Sequence, residues 1–360
     1  MHPKAGGAEY VTRRIASGLV QRGHDVTWFA SRSRGLPAND VIDGVRVVRR
    51  ASQATVHAYF AGWLVFQEWR GRPFDIIVDQ VNTIPFFAHM VTRTPTITFI
   101  HQLAREIWFK ETFVPLGIVG YILESVYLRL YKHTRVITDS ESSAKSFRSA
   151  GMCGEKVVIP LAVDPPRVTA RDHSTVPETL RLVVTARLVA SKRIDHALRT
   201  VALLYRRGLP VTLDIIGAGN VHILKNLREL ARGLGVGHLV TFHGRLTTDA
   251  RDELVAAAFA CVATSEREGW GLSITEANVL GVPGAVYPVP GLCDSTIHGR
   301  TGVISASATP PALADAIEAL WRNREQYLVC RYGARAFAAE LTWERTIDAF
   351  ENTLTVTSIR

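Results

Sequence analysis

Along the chain, short runs of Val, Ile and Leu alternate with stretches in which apolar residues recur at intervals of three and four. In the first half the runs at 26–30, 45–49, 76–78, 96–100 and 135–138 read as strands. In the second half the runs at 182–185, 211–216, 240–242, 260–263 and 285–287 do the same. Several are apolar throughout, the pattern of parallel strands buried on both faces. Between the runs lie amphipathic stretches such as 8–22, where Val11, Ile15 and Leu19 share one helical face and Gly23 closes it. This β-then-α alternation, carried through twice, predicts an α/β protein of two doubly wound domains. The seam falls near residues 168–180, where Thr, Arg, Asp, His, Ser and Pro displace the periodic pattern. The first domain is therefore expected over 1–168 and the second from 169. Two such domains facing each other form a cleft at the carboxyl ends of both sheets.

The chain opens Met1-His-Pro-Lys-Ala-Gly-Gly-Ala-Glu9, which reads as the loop after a first strand. In a doubly wound sheet that strand is central, and its loss splits the sheet and bares its neighbours' edges. A truncated start is the expectation.

Composition adds bounds. With 47% hydrophobic and 21% charged residues the chain has ordinary globular character. The uncharged apolar run 112–123 falls short of the ~20 residues that cross a bilayer, and no transmembrane helix is expected. The N-terminus lacks the pattern of a signal peptide, its first apolar stretch being broken by Arg13 and Arg14. Cys153, Cys261, Cys293 and Cys330 have neither zinc nor redox spacing and are expected to be buried free thiols of a cytoplasmic protein. The net charge of +9 is uneven: residues 1–170 hold 21 basic and 14 acidic side chains. Such a half suits an anionic partner. The basic residues are scattered rather than striped and no recognition motif appears, which argues against nucleic acid.

The most informative segment is Ser265-Glu-Arg-Glu-Gly-Trp-Gly-Leu-Ser-Ile-Thr-Glu276. Glu268 and Glu276 flank seven residues, and a helix is expected to begin near Leu272. Gly269 and Gly271 let backbone N–H groups approach a ligand, and a helix N-terminus favours an anion. Glu276, in the first turns of that helix, can accept from two vicinal hydroxyls, and Glu268 on the loop can reach sugar hydroxyls.

This segment resembles the Glu-x7-Glu motif of the retaining GT-B glycosyltransferases of family 4, the glycosyl transferases group 1. The resemblance covers nearly the whole chain in order. Gly6-Gly-Ala-Glu9 and Arg22-Gly-His-Asp-Val26 are similar to that family's glycine loop and Arg-Gly-His signature. Ser140-Glu-Ser-Ser143 and Val158-Ile-Pro-Leu-Ala-Val-Asp164 resemble the segment closing its first domain. Ala186-Arg-Leu-Val-Ala-Ser-Lys-Arg193 resembles its second-domain basic motif, and Gly291-Leu-Cys-Asp-Ser and Gly299-Arg-Thr-Gly302 follow. Residues 341–360, from Trp343-Glu onward, look like its crossover helix, which ends a second domain at 340 and packs back on the first.

The resemblance implies a nucleotide-diphosphate sugar as donor and a glycan or lipid-linked acceptor, as in polysaccharide or glycolipid assembly. It implies that Arg187 and Lys192 bind the diphosphate, a planar fork beside a point charge. The backbone of Gly6 and Gly7 would approach the same phosphates. Glu276 would hold the ribose, and Glu268 the transferred hexose together with the backbone of Gly269, Trp270, Gly271 and Leu272. Gly217, Gly244, Arg245 and Leu246 would border the base. His101, ending the strand at 96–100, sits where the family places an active-site histidine, and Arg105 and Glu106 would shape the acceptor side.

No Asp-x-Asp occurs in the chain, so no metal and no cofactor is expected, and cationic side chains would stabilise the leaving diphosphate. The retaining outcome, by front-face attack, is implied by the family alone. Residues 107–131 mix aromatic and aliphatic side chains with Lys110 and Arg129, near Lys132 and Arg135. They can dock at an anionic headgroup region, placing the protein at the inner face of a membrane, or pack into the first domain. Two rival readings stand beside the transferase: a nucleotide-sugar epimerase of GT-B fold, which calls for further cleft carboxylates, and a truncated, inactive nucleotide-binding module.

Overall fold

The computed structural model describes residues 6–71, 74–168 and 178–358. The chain divides into two compact units. The first comprises residues up to Ala104, Tyr121–Leu161 and the stretch from Trp343 onward; the second comprises Arg105–Gly120 and Ala162–Thr342.

From the N-terminus the elements run α1 (Gly7–Gln21), β1 (Thr27–Ser31), β2 (Asn39–Ile42), β3 (Val45–Arg50), α2 (Val56–Trp69), β4 (Ile77–Val81), α3 (Ala88–Val91) and β5 (Thr96–Ile100). They continue with α4 (Ile107–Glu111), α5 (Val114–Leu130), β6 (Val136–Thr138), α6 (Glu141–Ser149) and β7 (Lys156–Val158). The first unit's strands form two sheets: a three-stranded one ordered β1-β3-β2 and a four-stranded parallel one ordered β4-β5-β6-β7. Among the described residues, β1 and β4 each pair on one side only. β2 pairs antiparallel with β3 as a hairpin, a departure from the parallel pattern. Its alternating exposure hides it from a search for solid apolar runs. Side chains join the two sheets: Phe29 on β1 meets Phe60 and Trp63 on α2, within a cluster that includes Ile77 of β4.

α1 is the amphipathic helix that Val11, Ile15 and Leu19 predict. The last helix of the chain, Trp343–Ser358, lies along it. Gly18 makes the approach possible, since a Cβ there would stand 2.2 Å from Ile347. Arg22 ties the pair by ion pairs to Asp348 and Glu351, each at 2.5 Å.

The second unit continues with β8 (Leu180–Thr185), α7 (Ile194–Arg206), β9 (Val211–Ile216), α8 (Val221–Gly233), β10 (Val240–Gly244), α9 (Thr248–Ala256) and β11 (Ala260–Ala263). Then follow α10 (Leu272–Val279), β12 (Gly284–Val286), α11 (Leu292–Ser295), β13 (Gly302–Ile304), α12 (Pro310–Arg322) and α13 (Arg324–Glu340), so the Trp343–Ser358 helix is α14. Six parallel strands, ordered β10-β9-β8-β11-β12-β13, form one sheet with helices on both faces. Leu182 and Val184 of β8 pack with Leu198 and Val201 of α7, while Val183 turns to the opposite face beside Cys261 and Ile274. Solid apolar strands are what such two-sided burial demands.

One expectation needs correction. Cys261 and Cys330 are buried free thiols, but Cys153 and Cys293 are exposed. Both lie in loop or short-helix positions where spacing carries no information on burial. Among the described residues no helix is long and apolar enough to cross a membrane.

Candidate active site

In the first unit His101 ends β5 and is fixed from both sides. Its Nδ1 lies 2.6 Å from Oδ2 of Asp139, which is almost wholly buried, and its Nε2 lies 3.0 Å from Nε2 of Gln80. An ionised carboxylate only accepts, so Nδ1 carries the proton and Nε2 accepts from the Gln80 amide. Gln80 Oε1 in turn lies 2.8 Å from the Thr12 hydroxyl on α1. The result is an imidazole aimed by a buried acid, with Nε2 turned to the Gln80 amide. Asp139 and Gln80 escaped the sequence reading. Asp139 immediately precedes the Ser140-Glu-Ser-Ser143 segment, which was the available signal.

Gly6 and Gly7 open α1, with Gly6 in extended conformation at its cap. The Gly6 N–H is taken by the Glu9 carboxylate at 2.8 Å, so this turn is closed by its own third residue.

In the second unit the loop from Thr264 to Gly271 joins β11 to α10. Glu268 Oε1 accepts from the Ser265 hydroxyl at 2.6 Å and from the Lys192 ammonium. Lys192 sits in a short 3-10 turn, Ala190–Lys192, followed by Arg193 in left-handed conformation. Thr264 Oγ1 holds this turn from below, 3.1 and 2.9 Å from the carbonyls of Lys192 and Arg193. Gly291, at φ +80°, lets its loop pass over Glu268, where a Cβ would stand 2.3 Å from the Glu268 carbonyl. Gly271 begins α10 at φ +100°. Trp270 is buried and donates from Nε1 to Thr275 Oγ1 at 2.9 Å, which locks the entry to the helix. Leu272 is the first helical residue and Gly269 is half-buried beside it.

Glu276, one turn into α10, accepts from Arg251 Nη1 at 2.8 Å, and Arg251 also grips Asp252. Although 30% of the Glu276 side chain remains exposed, burial pushes its carboxyl above the ordinary value of 4.5, opposed by Arg251. Arg251 has no counterpart in the sequence reading, since its spacing from Glu276 means nothing until α9 and α10 are packed together.

Arg187 is exposed and, among the described residues, forms no ion pair. It stands where two glycines pass close by. At Gly217, φ +144°, a Cβ would lie 1.8 Å from the Ala186 carbonyl, and at Gly219 one would lie 2.3 Å from that of Leu188. Gly217 also donates to the Gly244 carbonyl at 2.8 Å, so β8, β9 and β10 end together. Arg245 is exposed beyond Gly244, whereas Leu246 packs into the sheet's second core cluster. The structure thus gathers Lys192, Glu268 and Gly269–Leu272 in one loop cluster. Arg187, Gly217 and Gly244 meet at neighbouring strand ends, and Glu276 lies on α10. Gly6, Gly7 and His101 belong to the other unit.

α4 packs on the Lys192 turn, although its chain position is in the first half. Lys110 and Arg193 each lie 3.5 Å from Glu266, and Glu106 lies 3.6 Å from Arg267. Arg105, in left-handed conformation, opens this segment.

Comparison with solved structures defines the class. The fold matches sucrose-phosphate synthase from Thermosynechococcus elongatus with a TM-score of 0.78 at 17% identity, over 97% of this chain and 93% of that one. It matches Anabaena HepE, solved with UDP-glucose, with a TM-score of 0.75 at 20% identity, over 98% and 97%. This is a GT-B fold. The profile "Glycosyltransferase Family 4" matches residues 5–167 and "Glycosyl transferases group 1" matches residues 169–337. The D-inositol 3-phosphate glycosyltransferase of Corynebacterium urealyticum is 32% identical over 95% of this chain and 88% of its own length. The chain belongs to the group 1 glycosyltransferases, enzymes that move a sugar from a nucleotide sugar. A GDP-mannose-dependent alpha-(1-6)-phosphatidylinositol monomannoside mannosyltransferase of Mycobacterium tuberculosis is 28% identical over 62% of each chain. The match to the D-inositol 3-phosphate glycosyltransferase of Geodermatophilus obscurus, 32% identical, spans 47% of this chain and 35% of that protein.

Proposed function

We propose that this enzyme transfers a hexose, with retention, from a UDP- or GDP-sugar to a lipid-linked acceptor in glycolipid or polysaccharide assembly. The single observation that carries the donor half is the cluster of Lys192, Ser265 and Glu268 at the entry to α10, with Glu276 one turn further on. The name of one relative supports the acceptor half, since it acts on a phosphatidylinositol mannoside, whereas the inositol phosphate named for others carries no lipid.

In this reading the diphosphate draws Lys192 away from Glu268 and adds the exposed Arg187, so charge developing on the leaving group meets two cations without a metal. The N–H groups at the start of α10 supply further donors. Glu268, released from Lys192, turns to the hydroxyls of the sugar, and Glu276 accepts from the ribose. His101, its proton held on Nδ1 by Asp139, presents Nε2 to a sugar hydroxyl once Gln80 yields. The Gly6–Gly7 turn approaches the phosphates only if Glu9 gives up the Gly6 N–H. Attack then comes from the face the diphosphate leaves, the departing oxygen taking the acceptor's proton.

The test is calorimetric titration with UDP and with GDP, comparing wild type with Arg187→Ala and Glu276→Ala. Micromolar binding of one nucleotide, lost in both variants, is the expected result and names the base. Binding of neither nucleotide overturns the donor site.

A further inference from the structure

β9 lies between β8 and β10, and its side chains are mostly apolar and buried. Its fourth residue is nevertheless a carboxylate, Asp214, only 7% exposed. A charge buried in mid-sheet costs free energy that a leucine does not, and what it can fix in return is a register. Both Asp214 oxygens are engaged. Oδ2 accepts from Nε of Arg181 on β8 at 2.7 Å, and Oδ1 lies 2.6 Å from Nε2 of His243 on β10. An ionised carboxylate only accepts, so His243 donates. Three adjacent strands thus contribute one member each, and all three lie in the second unit.

His243 is also where the register breaks. Val240 to Phe242 pair with Leu213 to Ile215, and then Gly244 stands opposite Ile216, so His243 is the extra residue of a bulge. β10 is the edge of the sheet and, among the described residues, has β9 as its only strand partner. A register held from one side is prone to slip, and a slip by one residue turns every side chain over. Two contacts oppose that slip. Phe242 packs with the core cluster of Leu213 and Ile215, its ring covered by Arg228 at 5.7 Å. Asp214, between those two residues in the chain, faces the other way and holds His243. The bulge delivers Gly244, at φ +69°, to accept from the Gly217 N–H at 2.8 Å, and leaves Arg245 exposed beyond it.

We infer that His243, gripped by Asp214 beside Arg181, is a positioning residue for the nucleobase of the donor: it sets the bulge from which the Gly244–Leu246 turn meets the base. The inference deepens the donor reading and rests on it, since in that reading this turn borders the base. The phosphates and the sugar belong to Arg187, Lys192 and Glu268, so a displaced turn weakens the hold on the base and leaves the hold on the phosphates.

The experiment is calorimetric titration of the full chain with UDP, GDP and pyrophosphate, comparing wild type with His243→Leu and His243→Gln. Gln carries an amide N–H where Nε2 stands and can still donate to Asp214, whereas Leu fills the space without a donor. His243→Leu is expected to weaken the nucleotide that wild type prefers about tenfold, the worth of one or two hydrogen bonds to a base, with pyrophosphate affinity unchanged. His243→Gln should stay within about threefold of wild type. His243→Leu combined with Asp214→Leu removes the buried charge together with its partner, so it should match wild type in thermal unfolding and show the same selective loss. A parallel loss of nucleotide and pyrophosphate overturns the inference and makes His243 a part of the fold alone. Unchanged nucleotide affinity in His243→Leu overturns it too, as does a Gln variant as weak as the Leu one. Absence of nucleotide binding in wild type is the separate result that fails the donor reading, and this inference falls with it.

Discussion

Arg251 holds Glu276 by a single hydrogen bond of 2.8 Å while its remaining donors grip Asp252. Arg251 is the cation that favours the ionised form of Glu276, while the nearby Asp252 and Asp164 carboxylates disfavour it. Burial raises its pKa above 4.5 and Arg251 opposes that rise. A raised carboxyl favours the protonated form, so folding stability from this group falls as pH climbs through the raised value, while an ionised acceptor exists only above it. Nucleotide binding is expected to weaken on acidification at a pH above the ordinary carboxylate range. Arg251→Ala should move that limb to higher pH, and Arg251→Lys should restore part of the shift. Titrations of nucleotide affinity against pH check both, and an unmoved limb in the alanine variant refutes the coupling.

His101 and Asp139 form the corresponding pair in the first unit. If His101 handles a proton or hydrogen bond of the reacting sugar, His101→Ala should lower kcat by about 100-fold or more with little change in nucleotide affinity. Asp139→Asn keeps the volume but offers an amide where the ring needs an acceptor. Most of the same kcat loss should follow, with about 1–3 kcal/mol of stability lost as well, measured by urea unfolding. A variant with normal kcat would make the pair a packing feature.

Gly217 and Gly233 should respond oppositely to the same change. Alanine at Gly217 places a Cβ 1.8 Å from the Ala186 carbonyl at φ +144°, and a cost of about 2–4 kcal/mol is expected from that clash and strain. At Gly233, on the last residue of α8, nothing lies within 4 Å of an added Cβ. Alanine there should add up to about 1 kcal/mol by restricting the unfolded chain. Thermal unfolding of the two variants decides the matter.

Thiol labelling of the folded protein should distinguish two pairs. Cys153 and Cys293 are expected to react, Cys293 more slowly because partial burial and Asp294 push its thiol up. Cys261, pushed up to about 12 by burial, and Cys330 should react only on unfolding. Four fast thiols in the native protein would contradict this burial.

Much of this was legible in the sequence, for physical reasons that differ by element. The strand at 260–263 is apolar because it is buried on two faces, so its composition alone predicts it. β2 is not legible that way, because one face of Asn39–Ile42 meets solvent. β7 and β13, three residues each, are too short to carry a period. The Glu-x7-Glu segment stood out because its glycines and both glutamates lie within twelve residues of chain. Arg251, Asp139 and Gln80 did not, since each meets its partner only across packed elements. The apolar richness of α5 was plain, but not that its acid, Glu124, would be buried.

Phe29, Phe60 and Trp63 link two sheets of the first unit that share no ladder among the described residues. Backbone hydrogen bonds and apolar contacts answer differently to temperature, because apolar association weakens on cooling. The joint between β1 and β4 is thus the part of that unit most exposed to cold. Chilling should loosen the aromatic seam while each sheet keeps its own strands paired, so that the molecule gives way first along a line of side chains.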